Sequence, residues 1–405
     1  MFPPPPARRD PAMDPPPPPA LMDELVEEIL IRVPPDDPAT LVRAALVCKR
    51  WCRLIAGASF RRRFRELHPR PPMLGFLYQR LDGTDFVPAS SFRPPHAVRD
   101  GWCVLDALHG RVLVLDAAEL YETMEMSLIV WDPVTDDQQS LPIPQLPPFS
   151  WNAALLCVTA GCDHLDCRGG PFPVLQATTV VTDNLGESRA CAHIYSSEQG
   201  AWSERITVVQ HHNGCNGIAR RVHGALVGNA ICFNYEMSTK ILEYDLGRQE
   251  LSTTDLPSAF HGWQIVLMEA DDGVLGFAIV KGSKLCLWAR EAGVDRNVGW
   301  AQRKVIELDK LLPVPDYNRS APLDVYTIAT APFVVAVADG IDVIFLWTDD
   351  GLFSIHLKSS RVEKIGEFIS DLGIVPYMSF CTPALDMVST ADEGPRVDAS
   401  STSQT

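Results

Sequence analysis

After His68 the chain stops reading as helix and becomes a long series of short strands, and one unit recurs among them. The unit pairs a strand entered from Gly with a strand that ends in an aromatic residue and a polar turn. His109-Gly110-Arg111-Val-Leu-Val-Leu115 leads to Leu128-Ile-Val-Trp131-Asp132-Pro133-Val-Thr135, then Leu141-Pro142. A weaker copy runs from His223-Gly224 to Tyr244-Asp245 and Leu256-Pro257. Shorter echoes fall at Ile194-Tyr195-Ser196, Leu285-Cys-Leu-Trp288 and Leu352-Phe-Ser-Ile355. Short Val/Ile/Phe-rich runs separated by Gly, Asp, Asn and Pro clusters fit a sandwich, a barrel or a propeller. A repeat narrows the choice. The markers 131, 195, 244, 288 and 355 lie 64, 49, 44 and 67 residues apart. Spacings near 45–50 suit a four-stranded blade, and the longer gaps leave room for loops. Residues 70–388, about 319 in number, then make six or seven blades, and six is the expectation. A blade is a sheet with two apolar faces that cannot stand alone, and ring closure covers both.

The preceding segment, residues 21–68, has helical periodicity. Leu21, Leu25 and Ile29 recur four apart, with Val26, Leu30 and Val33 beside them, which draws an apolar stripe on a helix. Asp23, Glu24, Glu27 and Glu28 suit the positive end of its dipole, and Pro34-Pro35 stop it. Asp37 is placed to cap a second helix with Pro38 at its first position. Leu41, Val42, Ala45 and Leu46 form the apolar face of that helix. Val47, Trp51, Leu54 and Ile55 recur on a third stretch, and Phe60 and Phe64 close the bundle. So short a bundle carries more apolar side chains than its own centre can hold, and needs a partner surface.

The string Leu21-Met-Asp-Glu-Leu25 through Ile29-Leu30, Val33-Pro34, Leu41-Val42, Val47-Cys48, Trp51, Leu54-Ile55 and Phe60 resembles an F-box. One departure is Met22, where the family usually has Pro. The resemblance implies docking on the Skp-type adaptor of a cullin–RING ubiquitin ligase. Its candidate contacts are Leu21, Leu25, Ile29, Leu30, Val33, Pro34, Leu41, Val42, Val47, Cys48, Trp51, Leu54, Ile55 and Phe60. The region after Pro72 resembles the kelch-related, propeller-like associated domain of plant F-box proteins, on its Gly-Arg…Val-Trp-Asp-Pro-Val-Thr…Leu-Pro string. The fold class is therefore a small all-α module followed by a large all-β domain, most simply a six-bladed propeller. The resemblance implies a substrate-recognition subunit that acts by proximity, with the propeller presenting a target protein.

The ends and the charge fit that organisation. Ten of the 34 prolines fall in the first 19 residues, so residues 1–20 read as a Pro-rich arm without a packed core. Residues 389–405, rich in Ser, Thr and Asp, read as a tail. The start lacks the charged and apolar regions of a secretory signal. Eleven scattered cysteines suit reduced thiols in the cytosol, the nucleus or both. The net charge is −16, which argues against a general nucleic-acid binder, and no apolar run reaches membrane-spanning length. Residues 21–68 carry nine Lys or Arg against seven Asp or Glu, so the acid lies in the large domain. That acid serves solubility before it serves recognition of a basic partner.

Catalytic chemistry is not signalled. There is no GxSxG, P-loop or HExxH pattern. Cys157, Cys162, His164 and Cys167 offer zinc-ligand types, but all on one short stretch without a distant second pair. His211, His212 and Cys215 are a weaker cluster. No metal and no cofactor is assigned. Two other readings stay open: a propeller enzyme, which would gather acids and histidines from several blades, and a scaffold that binds the adaptor without degrading its partner.

Overall fold

The computed structural model describes residues 21–117, 126–143, 151–157, 167, 170–182, 187–211, 218, 223–235, 240–291, 299–312, 332–367 and 373–382. The expected Pro-rich arm and tail, together with Cys162, His164, His212 and Cys215, lie outside them. Four helices come first: α1 (Asp23–Leu30), α2 (Pro38–Ala45), α3 (Lys49–Ala56) and α4 (Ala58–Leu67). Pro38 takes the first position of α2, where its missing N–H costs nothing. Asp37 does not cap through a backbone N–H. Its carboxylate instead accepts from the Thr40 hydroxyl at 2.6 Å and from Ser91 of the large domain at 3.3 Å. The module's core is Val26, Leu30, Ile31, Leu41, Ala45, Cys52, Ile55, Phe60 and Phe64. The rings of Phe60 and Phe64 stack at 5.9 Å.

Six antiparallel sheets follow, as the repeat spacing predicts. The first blade is built from both ends of the domain. The C-terminal strand Ile374–Met378 pairs with β1 (Met73–Gln79), which continues to β2 (Gly83–Pro88) and β3 (Val98–Asp100). This pairing closes the ring. The second blade is β4 (Trp102–Leu108), β5 (Arg111–Asp116), β6 (Ser127–Trp131) and β7 (Gln138–Leu141). The third is β8 (Trp151–Leu155), β9 (Pro173–Thr182) and β10 (Glu187–Ser196), with an outer edge split between β11 (Ala201–Trp202) and β12 (Ile206–His211). Blades four to six span Ala225–Asp255, Ile265–Glu307 and Phe333–Gly366.

Hydrophobic clusters explain why the blades cannot separate, since one lies between each neighbouring pair. Strands buried on both faces make this possible, because alternate side chains point to opposite neighbours. In β5, Val112 and Val114 pack toward the first blade, while Leu113 and Leu115 pack toward the third. The five sequence markers share one structural role. Trp131, Tyr195, Tyr244, Trp288 and Ile355 all lie on the third strand of their blade. Each packs into the cluster shared with the preceding blade.

The polar turn after the marker has its own cause. Asp132 Oδ1 accepts the N–H of Val134 at 2.9 Å, and Asp245 Oδ1 accepts those of Gly247 and Arg248 at 2.8 and 2.9 Å. These side chains imitate a backbone turn. They set up the left-handed residues Asp136 and Gln249 that swing the chain into the fourth strand. Trp131-Asp132 thus joins an interface aromatic to a turn-forming carboxylate.

Candidate functional sites

The helical module divides the candidate docking residues by burial. On α1, Val26 and Leu30 face inward, while Leu25 and Ile29 are 47% and 59% exposed. Leu21, Val47 and Cys48 are exposed too, as is Pro34. Val33, Val42, Trp51 and Leu54 are half-buried. The remaining four are buried. Leu30, Leu41, Ile55 and Phe60 are at most 6% exposed and fill the module's own core. Met22 and Leu46, 62% and 70% exposed, extend the same apolar face. Leu46 was legible as the last apolar residue before Val47, one position beyond the end of α2.

Arg50 clasps the two ends of this apolar face. Its guanidinium reaches Asp23 at 2.5 Å and the Leu21 carbonyl at 2.7 Å, which joins the start of α3 to the start of α1. Arg63 similarly ties α4 to Glu27 and Glu28 of α1; this pairing holds the Glu28 carboxyl below its usual range. Cys48 caps α3 by accepting the Trp51 N–H at 3.5 Å. The exposed leucines and Ile29 are therefore presented on a braced surface, unlike scattered surface apolar residues.

The module is seated on the propeller at the start of α2, through Asp37 and Ser91, and along its last helix. Phe380, just past the closing strand, meets Phe64 edge-on at 6.0 Å and lies under the Arg65 guanidinium at 5.9 Å. His68 contacts the Ile31 carbonyl at 2.9 Å, and Arg70 donates to Gly340 at 2.9 Å.

Beneath that seat is a cavity of about 360 Å³ at the mouth of the central channel. It gathers Arg65 from the module with Asp106, His109, His223 and Asp339 from three blades. Sequence order could not bring these together. Asp106 is buried, and its two oxygens accept the N–H groups of Ala107 and Leu155, both at 2.8 Å. Burial outweighs those bonds and pushes its carboxyl up to about 7. The Leu155 bond joins the inner strands of the second and third blades. Burial holds the His223 imidazole below its ordinary range; its Nε2 has no hydrogen-bond partner among the described residues.

Comparison with known proteins follows this geometry closely. The family described as F-box protein AT5G49610-like, beta-propeller, matches residues 103–385. The chain belongs to this F-box propeller family. The F-box domain itself matches residues 21–63, the helical module. The match is to this propeller family and carries no kelch designation. The F-box propeller is also 23% identical to F-box protein At5g03970 of Arabidopsis thaliana over 401 residues, 92% of each chain. Among solved structures it is similar to YCF48 bound to D1 peptide, at 9% identity and a TM-score of 0.36. That likeness covers 73% of this chain and 82% of the other. It is similar as well to Kuenenia stuttgartiensis hydrazine synthase, at 10% identity and a TM-score of 0.38, over 68% and 71% of the two chains. No helix among the described residues is long and apolar enough to cross a membrane.

Proposed function

We propose that this F-box propeller is the substrate-recognition subunit of an SCF-type cullin–RING ubiquitin ligase. The observation that carries the reading is the braced, exposed face of Leu21, Leu25, Ile29, Leu46 and Val47 on a module that matches an F-box. Such a face is costly in water and suits a groove on a Skp-type adaptor. Cullin and RING subunits are then engaged through the adaptor. The propeller holds the target protein, and catalysis is by proximity: target lysines are kept at high effective concentration near the transferring enzyme. The chain itself supplies no chemical step. Asp106 supports that view, because both of its oxygens bind backbone N–H groups. The nine free cysteines among the described residues favour the reducing cytosol or nucleus.

The test is co-purification of adaptor and cullin with the full chain and with Leu25→Asp plus Ile29→Asp. Both positions are exposed, so the variant folds. Undiminished adaptor binding would remove the docking assignment. Polyubiquitin on propeller-bound proteins, lost in the same variant, separates a degradative role from scaffolding.

A further inference from the structure

His109, Cys157 and Cys167 come together from two stretches of chain, the hairpin turn of the second blade and the connection between β8 and β9. Their ligand atoms all lie within 4.8 Å of one another. Cys157 follows β8, Cys167 precedes β9, and His109 belongs to the turn between β4 and β5 on the neighbouring blade. This supplies the distant ligand that the sequence pattern Cys157–Cys167 lacked. We propose that these three side chains form a zinc site that pins the second blade to the third.

The sulfur–sulfur distance fits the ion. Two thiolates held about 2.3 Å from a tetrahedral zinc are roughly 3.8 Å apart. The sulfurs of Cys157 and Cys167 are 3.6 Å apart. A disulfide would need about 2.05 Å. The donor set also fits, because two thiolates and an imidazole select a borderline-soft ion over calcium or magnesium. Two thiolates cancel the charge of the dication, so the half-buried site need not hold a net charge. Cys162 and His164 are outside the described residues, and the proposal does not use them.

The surroundings hold the ligands in place. His109 and Gly110 form a two-residue hairpin turn with φ values of 49° and 82°. A turn with both φ positive favours Asn-Gly, and histidine is among the few other residues that accept its first position. Next in sequence, Arg111 donates to the Gly170 carbonyl and stacks over Phe172 at 4.6 Å. The Gly170 N–H in turn donates to the Cys167 carbonyl at 3.3 Å. On the other side, the Leu156 N–H donates to the Pro173 carbonyl at 3.0 Å and fixes the approach to Cys157. The hairpin that offers His109 thus also anchors the segment that offers Cys167. Supporting contacts of this kind are what a metal site needs around its ligands.

The test uses the full chain, purified under reducing conditions without chelator, and elemental analysis for bound metal. The expected result is one zinc per chain. After removal of the zinc, titration with Co²⁺ should give thiolate-to-metal charge-transfer and visible d–d bands. His109→Asn retains the favoured Asn-Gly turn, so it should fold and yet bind Co²⁺ at least about tenfold more weakly, the loss that even outer-sphere changes cause. Cys167→Ser should lose the charge-transfer intensity, and chelation should lower the melting temperature of the wild type by more than that of His109→Asn. Absence of stoichiometric zinc after equilibration with buffered Zn²⁺ would overturn the proposal. So would an unchanged cobalt spectrum in both variants, or a Cys157–Cys167 disulfide in the reduced preparation.

Discussion

Asp106 makes propeller stability depend on pH in a direction opposite to most carboxylates. In the unfolded chain its pKa is 3.8, and in the fold burial lifts it to about 7. Between those values the folded protein keeps a proton that the unfolded chain has lost, so stability falls as pH rises. The contribution is complete below the unfolded value and is gone above about 7. A shift of this size corresponds to something on the order of 4 kcal/mol across the window. His193 and His223 act in the other direction. Burial lowers both, so what they add is present above the ordinary histidine range and is lost on acidification. A raw stability profile mixes these effects, and the difference between wild type and Asp106→Asn isolates the carboxyl. The amide keeps the shape but can accept from only one of the N–H groups of Ala107 and Leu155, a pH-independent cost of about 1–3 kcal/mol. Urea unfolding followed by tryptophan fluorescence, from about pH 5 to about pH 8, measures both proteins. The wild-type advantage should shrink by about 1 kcal/mol per pH unit up to neutrality and then level off. A constant difference across the whole range would show that Asp106 is ionised in the fold, and would refute the argument.

Other perturbations test the remaining structure. Leu25→Asp plus Ile29→Asp removes two aliphatic side chains worth about 1.5–3 kcal/mol each when buried. Adaptor affinity, read by calorimetry, should fall by more than about a hundredfold, with the melting temperature unchanged. Ile55→Ala, at a fully buried position, should instead destabilise the helical module by about 2–5 kcal/mol, which hydrogen exchange of α1–α4 would report. Deleting the chain from Ile374 onward exposes β1 as an unpaired edge and strips Val375 and Tyr377 from the cluster between the first two blades. The product should aggregate in light scattering rather than refold as a five-bladed ring. Phe380→Ala should loosen the module's seat, seen as faster hydrogen exchange in α4 with the propeller strands unchanged.

Much of the fold was legible because one residue per blade does the same job. Trp131, Tyr195, Tyr244, Trp288 and Ile355 each fill the interface with the preceding blade from the third strand. A large side chain is needed there every time, so a period survives in the sequence. The first blade left no such trace. Its innermost strand, Ile374–Met378, comes from the far end of the chain, and neither half alone resembles the unit. The third blade was obscured differently. Its outer edge breaks at Ser203–Arg205 and restarts at Ile206, and a break in pairing has no periodic signature.

The sites were legible only in part, and the reason is physical. Helical spacing marks which residues share a face, but not which face is covered. Leu25 and Val26 are adjacent and equally apolar. One is exposed and the other buried, because Ile55, Phe60 and Phe64 pack on one side alone. The channel mouth lies further from sequence logic still, since Asp106, His109 and His223 meet through ring closure. Closure also decides how the two domains could cooperate. The strand that seals the ring delivers Phe380 to Phe64 and Arg65 of α4. The seat of the F-box module thus includes the residue that follows propeller closure. On the proposed function this coupling has a use. A target on a closed propeller is held at a defined distance from the ligase, whereas an open propeller loses its sheet edge and its attachment together. Proximity catalysis rewards such a rigid link, because effective concentration falls as the connection between two binding sites loosens.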